Sequence, residues 1–235
     1  MQVSIRDLTK KFGEKTAVDI PELTIHSGEI LGLVGNNGAG KTTLFRLILD
    51  LLKADSGNVM IGEIDPSQSE DWKLTTGAYI DEGFLIDFLT PEEYFDFLGK
   101  VNNIAKEDLD QRLSVFERLM AGEILGQAKL IRDFSAGNKQ KIGIISALLN
   151  HPQLVILDEP FNFLDPSSQI ILKRILVEYN RTHQATIIIS SHNLQHTVDI
   201  SQRIALLEHG QIIKDLMNAQ GTAEKELEDY FELSE

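Results

Sequence analysis

A short apolar strand, a glycine-rich loop and an amphipathic helix follow one another across residues 30–52, and few folds accommodate that order. The strand, residues 30–34, runs directly into GNNGAGKT, which occupies residues 35–42. The glycines allow successive backbone amides to point inward, and the following helix, residues 42–52, adds the positive end of its dipole. The sequence therefore predicts an α/β fold in which phosphate binds at the start of this helix.

Two side chains of the loop fit the chemistry of a nucleoside triphosphate. Lys41 supplies a positive charge for the β and γ phosphates, and Thr42 offers a hydroxyl to Mg²⁺. A mere tight turn is the plainer interpretation of the glycines, but the strand before the loop and the helix after it disfavour that interpretation. We therefore predict an ATP site in which Lys41 takes part in catalysis.

Two carboxylates follow the apolar strand predicted for residues 154–157. Because carboxyl ends of buried parallel strands form the ligand-binding edge of an α/β sheet, Asp158 and Glu159 are expected at that edge. We predict that Asp158 holds the metal and that Glu159 accepts a proton from the attacking water. Alone, the pair would be an ordinary acidic loop; the phosphate loop upstream favours the catalytic interpretation.

Two further residues each have a chemical and a structural interpretation. His192 follows the apolar strand of residues 185–190, so it is expected at the same sheet edge, within reach of a γ-phosphate. The other five histidines lack such a position and are interpreted as structural. Phe12 is either a core aromatic or a platform that stacks on an adenine ring.

Strand and helix patterns divide the chain into a core and an insert. Alternating residues near the N-terminus predict an antiparallel meander, and later apolar strands without alternation predict a parallel sheet covered on both faces. We assign residues 1–82 and 152–218 to a nucleotide-binding core that carries this antiparallel β-subdomain. Residues 83–151 are assigned to an inserted α-helical subdomain.

The predicted insert contains three helices. Thr90-Pro91-Glu92-Glu93 has the pattern of a capping box with proline at the first helical position, and the helix is expected to end near Val101. Apolar spacing predicts a second helix across residues 109–120 and a third across residues 139–149.

The end of the chain is acidic and periodic. Residues 219–235 are predicted to form an acidic amphipathic helix docked on the core, because apolar residues recur at helical spacing. These residues are Ala223, Leu227, Tyr230 and Phe231.

The composition excludes several classes of protein. The chain has 235 residues with 36 acidic against 22 basic side chains, and its formal net charge of −14 argues against broad contact with nucleic acid. It contains no cysteine, which rules out a disulfide framework and a thiolate metal site. No window approaches the roughly 18 consecutive apolar residues of a membrane helix, so we expect a cytoplasmic protein.

The order and spacing of these motifs resemble an ATP-binding cassette (ABC) ATPase, a P-loop NTPase, along nearly the whole chain. Residues 35–42 resemble the family's Walker A loop, and residues 155–159 resemble its Walker B strand with the catalytic glutamate. His192 corresponds to the switch histidine, and FSAGN, residues 134–138, corresponds to the family signature.

The resemblance implies ATP and Mg²⁺ as ligands and a head-to-tail pair of cassettes, either two copies of this chain or this chain with a paralogue. Ser135 and Gly137 of one cassette would contact the γ-phosphate held by Lys41 of the other, and Asp165 would communicate across the interface. The implied ATP contacts are Phe12, Gly35, Asn36, Asn37, Gly38, Ala39, Gly40, Lys41, Thr42, Thr43, Ser135, Ala136, Gly137, Asn138 and Asp165.

Three departures from the family pattern stand out. Where the signature commonly has LSGGQ, Ala136 replaces a glycine and Asn138 a glutamine. Residues 79–82 hold no glutamine to sense Mg²⁺ and the permease, and we take Glu82 as the replacement and a metal ligand. Phe163 stands where a small residue is more usual, which is expected to alter coupling.

Three functions fit this pattern. The leading hypothesis is the ATP-hydrolysing subunit of an ABC transporter, which acts at the cytoplasmic face of the membrane on a separate integral membrane permease. The helix start at Thr90 and the tail LEDYFEL resemble subunits of exporter-type systems. An ATP-gated clamp on nucleic acid or ribosomes is the alternative, which the acidic charge disfavours. A catalytically impaired cassette is the third, and Glu159 and His192 argue against it.

Overall fold

The structure is a computed structural model that describes residues 1–219 and 222–233, without the side chains of residue 228 and residues 231–233. In these ranges the strands, in chain order, are β1 Val3–Phe12, β2 Lys15–Ile25, β3 Ile30–Val34, β4 Ser56–Ile61, β5 Thr76–Tyr79, β6 Leu154–Leu157, β7 Thr186–Ser191, β8 Arg203–Glu208 and β9 Gln211–Met217.

Helices of very different length connect these strands. They are α1 Lys41–Ile48, α2 Pro91–Val101, α3 Lys106–Ser114, α4 Glu117–Met120, α5 Ala136–Leu148, α6 Pro166–His183, α7 Leu194–Val198 and α8 Thr222–Leu233. Short 3₁₀ turns cover Asp71–Thr75, Glu82–Phe84 and Ile131–Asp133.

A six-stranded sheet in the order β5-β6-β7-β3-β8-β9 forms the centre of the molecule. Its strands from β5 to β8 pair in parallel, and β9 closes the edge as an antiparallel hairpin with β8. Every residue of β3, β6 and β7 is buried, as expected of parallel strands covered on both faces. The predicted α/β fold is confirmed, and β3 lies in the middle of the sheet.

Two hydrophobic clusters cover the two faces of this sheet. Val155 and Leu157 of β6 join a cluster with helices α2 to α6, while Leu154 and Ile156 join α1 and the N-terminal strands. The alternation follows from the twofold side-chain period of a strand. One strand thus places the loop after it between the helical region and the antiparallel sheet.

The N-terminal sheet has the order β2-β1-β4 and is antiparallel throughout. In its centre β1 pairs Val3 with Ile25 on one side and with Ile61 on the other. The antiparallel meander is therefore confirmed, and β4 completes it across β1.

The helical region confirms one local prediction and corrects another. The capping box of α2 is present, because Thr90 Oγ1 accepts from the Glu93 amide at 3.2 Å and Glu93 Oε2 accepts from the Thr90 amide at 2.9 Å. The single helix predicted for residues 109–120 is wrong. It is broken between α3 and α4, where the Phe116 amide donates to the Leu113 carbonyl at 3.0 Å and tightens the turn.

Two helix boundaries also differ from the sequence prediction. Helix α1 ends at Ile48 rather than near residue 52, because Asp50 adopts a φ of 50° that no α-helix continues. Helix α5 begins at Ala136 rather than Lys139, because the Ser135 side chain caps it. The short helix α7 was not expected from the sequence.

Helix α8 packs its apolar side on β8 and α7. Ala223 and Leu227 are buried in a cluster with Val198 and Leu206, and the Tyr230 hydroxyl donates to Glu208 Oε2 at 2.6 Å. Phe231, the fourth apolar residue of the predicted pattern, has a side chain outside the described part of the chain. Within the described ranges no helix has the length and apolarity that a membrane span requires.

Candidate nucleotide site

The loop between β3 and α1 follows a path that only glycine accommodates at two points. A Cβ on Gly35 would lie 2.2 Å from the Leu207 carbonyl oxygen. Gly40 has a φ of 115°, and a Cβ there would lie 2.4 Å from the Ala17 carbonyl oxygen. Close packing against β2 and β8 therefore fixes the loop, and the amides at the start of α1 remain without a side-chain cap.

A cleft of about 290 Å³ opens over this loop. Its floor is residues 36–43, and Phe12, Lys15, Ala17 and Glu159 form its walls. Phe12 is 53% exposed, so the core interpretation of this ring is wrong and its open face borders the cleft. The sequence analysis missed Lys15 and Ala17, which reach the cleft only because β2 folds back beside Phe12.

Lys41 is 6% exposed, and its ammonium group points back into the loop. Nζ donates to the Gly35 carbonyl at 2.5 Å and the Asn36 carbonyl at 3.3 Å. It also lies 3.3 Å from Glu159 Oε1, which is close enough for an ion pair but lacks hydrogen-bond geometry. The cation is thus held between the loop and the end of β6.

Asp158 is buried, and two hydroxyl groups hold its carboxylate. Thr42 Oγ1 donates to Oδ2, and Ser190 Oγ donates to Oδ1. Burial raises the pKa of Asp158, while these hydrogen bonds and Lys41 act in the opposite direction. The carboxylate therefore reaches across the sheet edge to the first turn of α1.

Glu159 lies beside His192. Glu159 has a φ of 47°, and its Oε2 accepts from His192 Nδ1 at 2.9 Å and from the His192 amide at 3.3 Å. Its carbonyl accepts from Gln140 Nε2 of α5 at 3.0 Å. The other carboxylate oxygen, Oε1, is buried and has no hydrogen-bond donor among the described residues.

Ser190 and Gln140 were also missed by the sequence analysis. A polar residue at the end of β7 was a usable signal for Ser190, because the carboxyl ends of neighbouring parallel strands meet. Gln140 gave no signal, since a polar residue inside a helix is typical of a solvent face. It is instead 6% exposed and hydrogen-bonded to the loop after β6.

Glu82 is near the site but is not paired with Thr42 or Asp158. Its Oε2 lies 3.2 Å from Lys139 Nζ of α5. Glu82, Asp158 and Glu159 nevertheless line one cavity of about 250 Å³, so the three carboxylates share a space.

The FSAGN segment forms the start of α5. Ser135 is the N-cap and accepts from the Asn138 amide at 3.3 Å. A Cβ on Gly137 would lie 2.6 Å from the Phe163 carbonyl oxygen, so this glycine allows α5 to pack on the loop before α6. Residues 135–138 do not line the cleft over residues 36–43.

The loop before α6 contains Phe163 and Asp165. Phe163 is 74% exposed and has a φ of 62°. Asp165 is the N-cap of α6, where its carboxylate accepts from the Ser167 and Ser168 amides and hydroxyls. These hydrogen bonds, those of Ser167 first, lower the pKa of Asp165. Within one chain, Asp165 therefore caps a helix.

The donor set beside α1 suits a hard divalent cation. The Thr42 hydroxyl and the Asp158 carboxylate are in contact, and no basic group lies within ion-pair distance of this buried carboxylate among the described residues. Mg²⁺ prefers oxygen ligands, and a cation would compensate the desolvation that raises the pKa of Asp158.

Known proteins resemble this chain in sequence and in fold. The profile of a family described as ABC transporter matches residues 18–162. Bacitracin transport ATP-binding protein BcrA of Bacillus licheniformis is 32% identical over 216 residues, which cover 91% of this chain and 69% of that protein. The uncharacterized ABC transporter ATP-binding protein YdbJ of Bacillus subtilis is 33% identical over 220 residues, which cover 93% and 70%.

The fold likeness extends over the entire chain. A solved structure described as the ATP-binding subunit of an ABC transporter superposes with a TM-score of 0.86 at 24% identity, and the match covers 100% of both chains. The two proteins therefore share one fold.

Proposed function

The chain belongs to the ABC transporter family of ATP-binding proteins and is an ATPase, and we propose that it dimerises around two Mg²⁺·ATP to drive a separate membrane permease. One observation carries the proposed ATP chemistry. Three different strand ends meet at one edge of the sheet, and they bring together Lys41, Thr42, Asp158, Glu159 and His192.

The two oxygens of Glu159 take different parts in hydrolysis. Oε2 accepts from His192, whereas Oε1 is buried without a donor and is available to accept a proton from an attacking water. The Lys41 ammonium lies 3.3 Å from Oε1, and the carboxylate is the form of this side chain that acts as a base. Glu159 is therefore proposed as the general base.

His192 is positioned by the same carboxylate. Because an ionised Glu159 only accepts, His192 Nδ1 carries the proton of their hydrogen bond. Nε2 is the ring nitrogen that does not contact Glu159, and His192 is proposed to contact the γ-phosphate through it.

Lys41 and the metal ligands complete the phosphate site. Lys41 is proposed to exchange its loop carbonyls for the β and γ phosphates of ATP. Thr42 and Asp158, with Glu82 at the rim of the adjoining cavity, would hold Mg²⁺, which when bound neutralises charge on those phosphates. Phe12 is proposed as the platform for the adenine ring, with Lys15 beside it.

The start of α5 is proposed to serve the ATP of a second cassette. Ser135 and Gly137 lie outside the cleft formed by residues 36–43 of their own chain. Ser135 and Ala136 are exposed, so the start of this helix is accessible to a neighbouring molecule. Asp165, which caps α6 beside Gly137, would lie at the same interface.

Sedimentation with ATP tests the dimer. Glu159→Gln should bind ATP without hydrolysing it, so dimers should accumulate on addition of Mg²⁺·ATP. Adding Ser135→Arg should keep ATP binding but leave the protein monomeric, because the large cation blocks the partner's nucleotide. A monomer that hydrolyses ATP at the wild-type rate at all concentrations would overturn the proposed pairing.

The membrane partner is proposed on family membership. The name of BcrA assigns bacitracin transport to that protein. For this chain we propose a position at the cytoplasmic face of the membrane, bound to an integral permease of the exporter type. Purification from membranes after crosslinking should recover an integral membrane protein whose presence stimulates ATP turnover. Recovery of nucleic acid or ribosomes instead would contradict the proposed transport function and favour the ATP-gated clamp.

A further inference from the structure

Two consecutive acidic residues connect the segment after β5 to two different helices. Asp81 Oδ2 lies 3.2 Å from Arg46 of α1, the helix that follows the phosphate loop. Glu82 Oε2 lies 3.2 Å from Lys139 of α5, the helix that begins with the FSAGN segment. The segment is therefore paired with the last turn of α1 on one side and with the first turn of α5 on the other.

The contacts of α5 differ in burial. Gln140, the neighbour of Lys139, is 6% exposed and donates to the Glu159 carbonyl, and Gly137 packs directly on the Phe163 backbone. These contacts fix α5 to the loop after β6. In the ion pair of Glu82 and Lys139, the Glu82 side chain is instead 61% exposed and the Lys139 side chain 21%, and ion pairs with a solvent-exposed partner are weak enough to exchange.

The same Glu82 side chain borders the cavity of Asp158 and Glu159. Three carboxylates around one space would repel the triphosphate of ATP if all three faced it uncompensated. Lys139 is the cation that compensates Glu82 in this structure, and Lys41 is the cation beside Glu159. The position of Glu82 therefore depends on Lys139.

Building on the proposed function, we propose that Lys139 is a positioning residue that holds the Glu82 carboxylate at α5 and yields it to Mg²⁺ when Mg²⁺·ATP binds. Lys139 then does not touch the nucleotide. It determines how strongly the site distinguishes Mg²⁺·ATP from ATP without metal. The reason is that Lys139 neutralises the Glu82 carboxylate until Mg²⁺ replaces Lys139.

Calorimetric titration of ATP, once with Mg²⁺ and once with EDTA, tests this role. In Lys139→Gln the Glu82 carboxylate is free, so affinity for Mg²⁺·ATP should rise, while affinity for metal-free ATP should fall because the carboxylate repels the triphosphate. Each change should be about twofold to fivefold, the size expected from an exposed ion pair. The ratio of the two affinities should therefore increase.

Three variants separate positioning from a structural role. Lys139→Arg keeps the ion pair and should restore the wild-type ratio. In a Glu82→Gln background, Lys139→Gln should no longer change the ratio. Lys106→Gln removes the same charge from a lysine paired with Asp110 at 3.2 Å on α3 and should leave the ratio unchanged.

An equal shift of both affinities in Lys139→Gln, or the same change of ratio in the Glu82→Gln background, would overturn the positioning role and leave the proposed ATPase function intact. Absence of ATP binding by the wild-type chain under both conditions would overturn the proposed function and this inference together.

Discussion

Helices α1 and α5 both begin at glycine-containing segments near the candidate site, but their surroundings differ. The start of α1 follows the central strand β3 of the main sheet. Backbone carbonyl groups of β8 and β2 lie close to Gly35 and Gly40. This helix start adjoins a buried lysine and a buried carboxylate from the same chain. The start of α5 has a serine cap, ordinary negative φ angles and an exposed side.

The difference supports the proposal that one chain completes the site at α1 while the start of α5 serves a second cassette. At α1 three contacts link the site residues of one chain: Lys41 with Glu159, Thr42 with Asp158, and Glu159 with His192. At α5 the chain supplies amides and a hydroxyl, and the nearby Lys139 is engaged by Glu82. Substitutions at α1 should therefore act within a monomer, and those at α5 only in a dimer.

The largest expected effect is on catalysis at Glu159. Glu159→Gln removes the oxygen that accepts the proton of the attacking water, and ATP turnover should fall roughly 10²- to 10⁴-fold. The steady-state rate of phosphate release measures this fall in turnover. Glu178→Gln, on the exposed side of α6 and paired with Arg181, is the control that should keep full turnover. Near wild-type turnover in Glu159→Gln would remove this residue from the role of base.

The affinity of the monomer for ATP should depend on a residue at the start of α1 and not on one at the start of α5. Lys41→Ala loses a charge-assisted contact of about 1.5 to 3 kcal/mol, so ATP affinity should fall roughly 10- to 150-fold. Ser135→Ala should leave this affinity unchanged at protein concentrations too low for dimers. Titration with a fluorescent ATP analogue measures both, and equal losses in the two variants would contradict the division between α1 and α5.

The two helix starts should differ in the cost of changing one methyl group, at residue 40 before α1 and at residue 136 in α5. Gly40→Ala combines a strained φ of 115° with a contact of 2.4 Å to the Ala17 carbonyl, and the free energy of unfolding should fall by about 1–3 kcal/mol. Ala136→Gly at the start of α5 should cost no more than about 0.5–1 kcal/mol. Urea denaturation gives both values, and a neutral Gly40→Ala would show that the loop can rearrange.

The smallest expected effect is on the pH dependence of stability. Burial raises the folded-state pKa of Asp158 above its ordinary value of 3.8, so its contribution is favourable below that value and is lost as the pH rises through the folded pKa. Asp158→Asn removes this loss, so the stability of this variant relative to wild type should increase as the pH rises from 3.8 through the folded pKa of Asp158.

Asp165→Asn is the matched comparison with the opposite sign. Hydrogen bonds lower the pKa of Asp165, so its stabilising contribution is present above 3.8 and is lost as the pH falls towards the folded pKa. This variant should be less stable than wild type near neutral pH, with a difference that shrinks in acid. Denaturation at several pH values measures both, and parallel curves for the two variants would contradict the assignment of their pKa shifts.

Local rules predicted much of this molecule correctly. The glycines of residues 35–42, the capping box at Thr90 and the carboxylates after β6 all follow from steric limits or from periods of a few residues. Those rules also have a limit. The apolar spacing of Leu109, Leu113 and Phe116 continues across the break between α3 and α4, because all three side chains face the same core.

The partners of the polar side chains were decided by the tertiary structure. Thr42 and Asp158 are 116 residues apart in the chain, and Glu159 and His192 are 33 apart. The sequence alone determined that a phosphate loop, two carboxylates and a histidine follow strands, since strand patterns and backbone sterics act over a few residues. Only the sheet order brought those strand ends together and placed Glu82 beside Lys139, because hydrogen bonds and ion pairs depend on distances that no local pattern encodes.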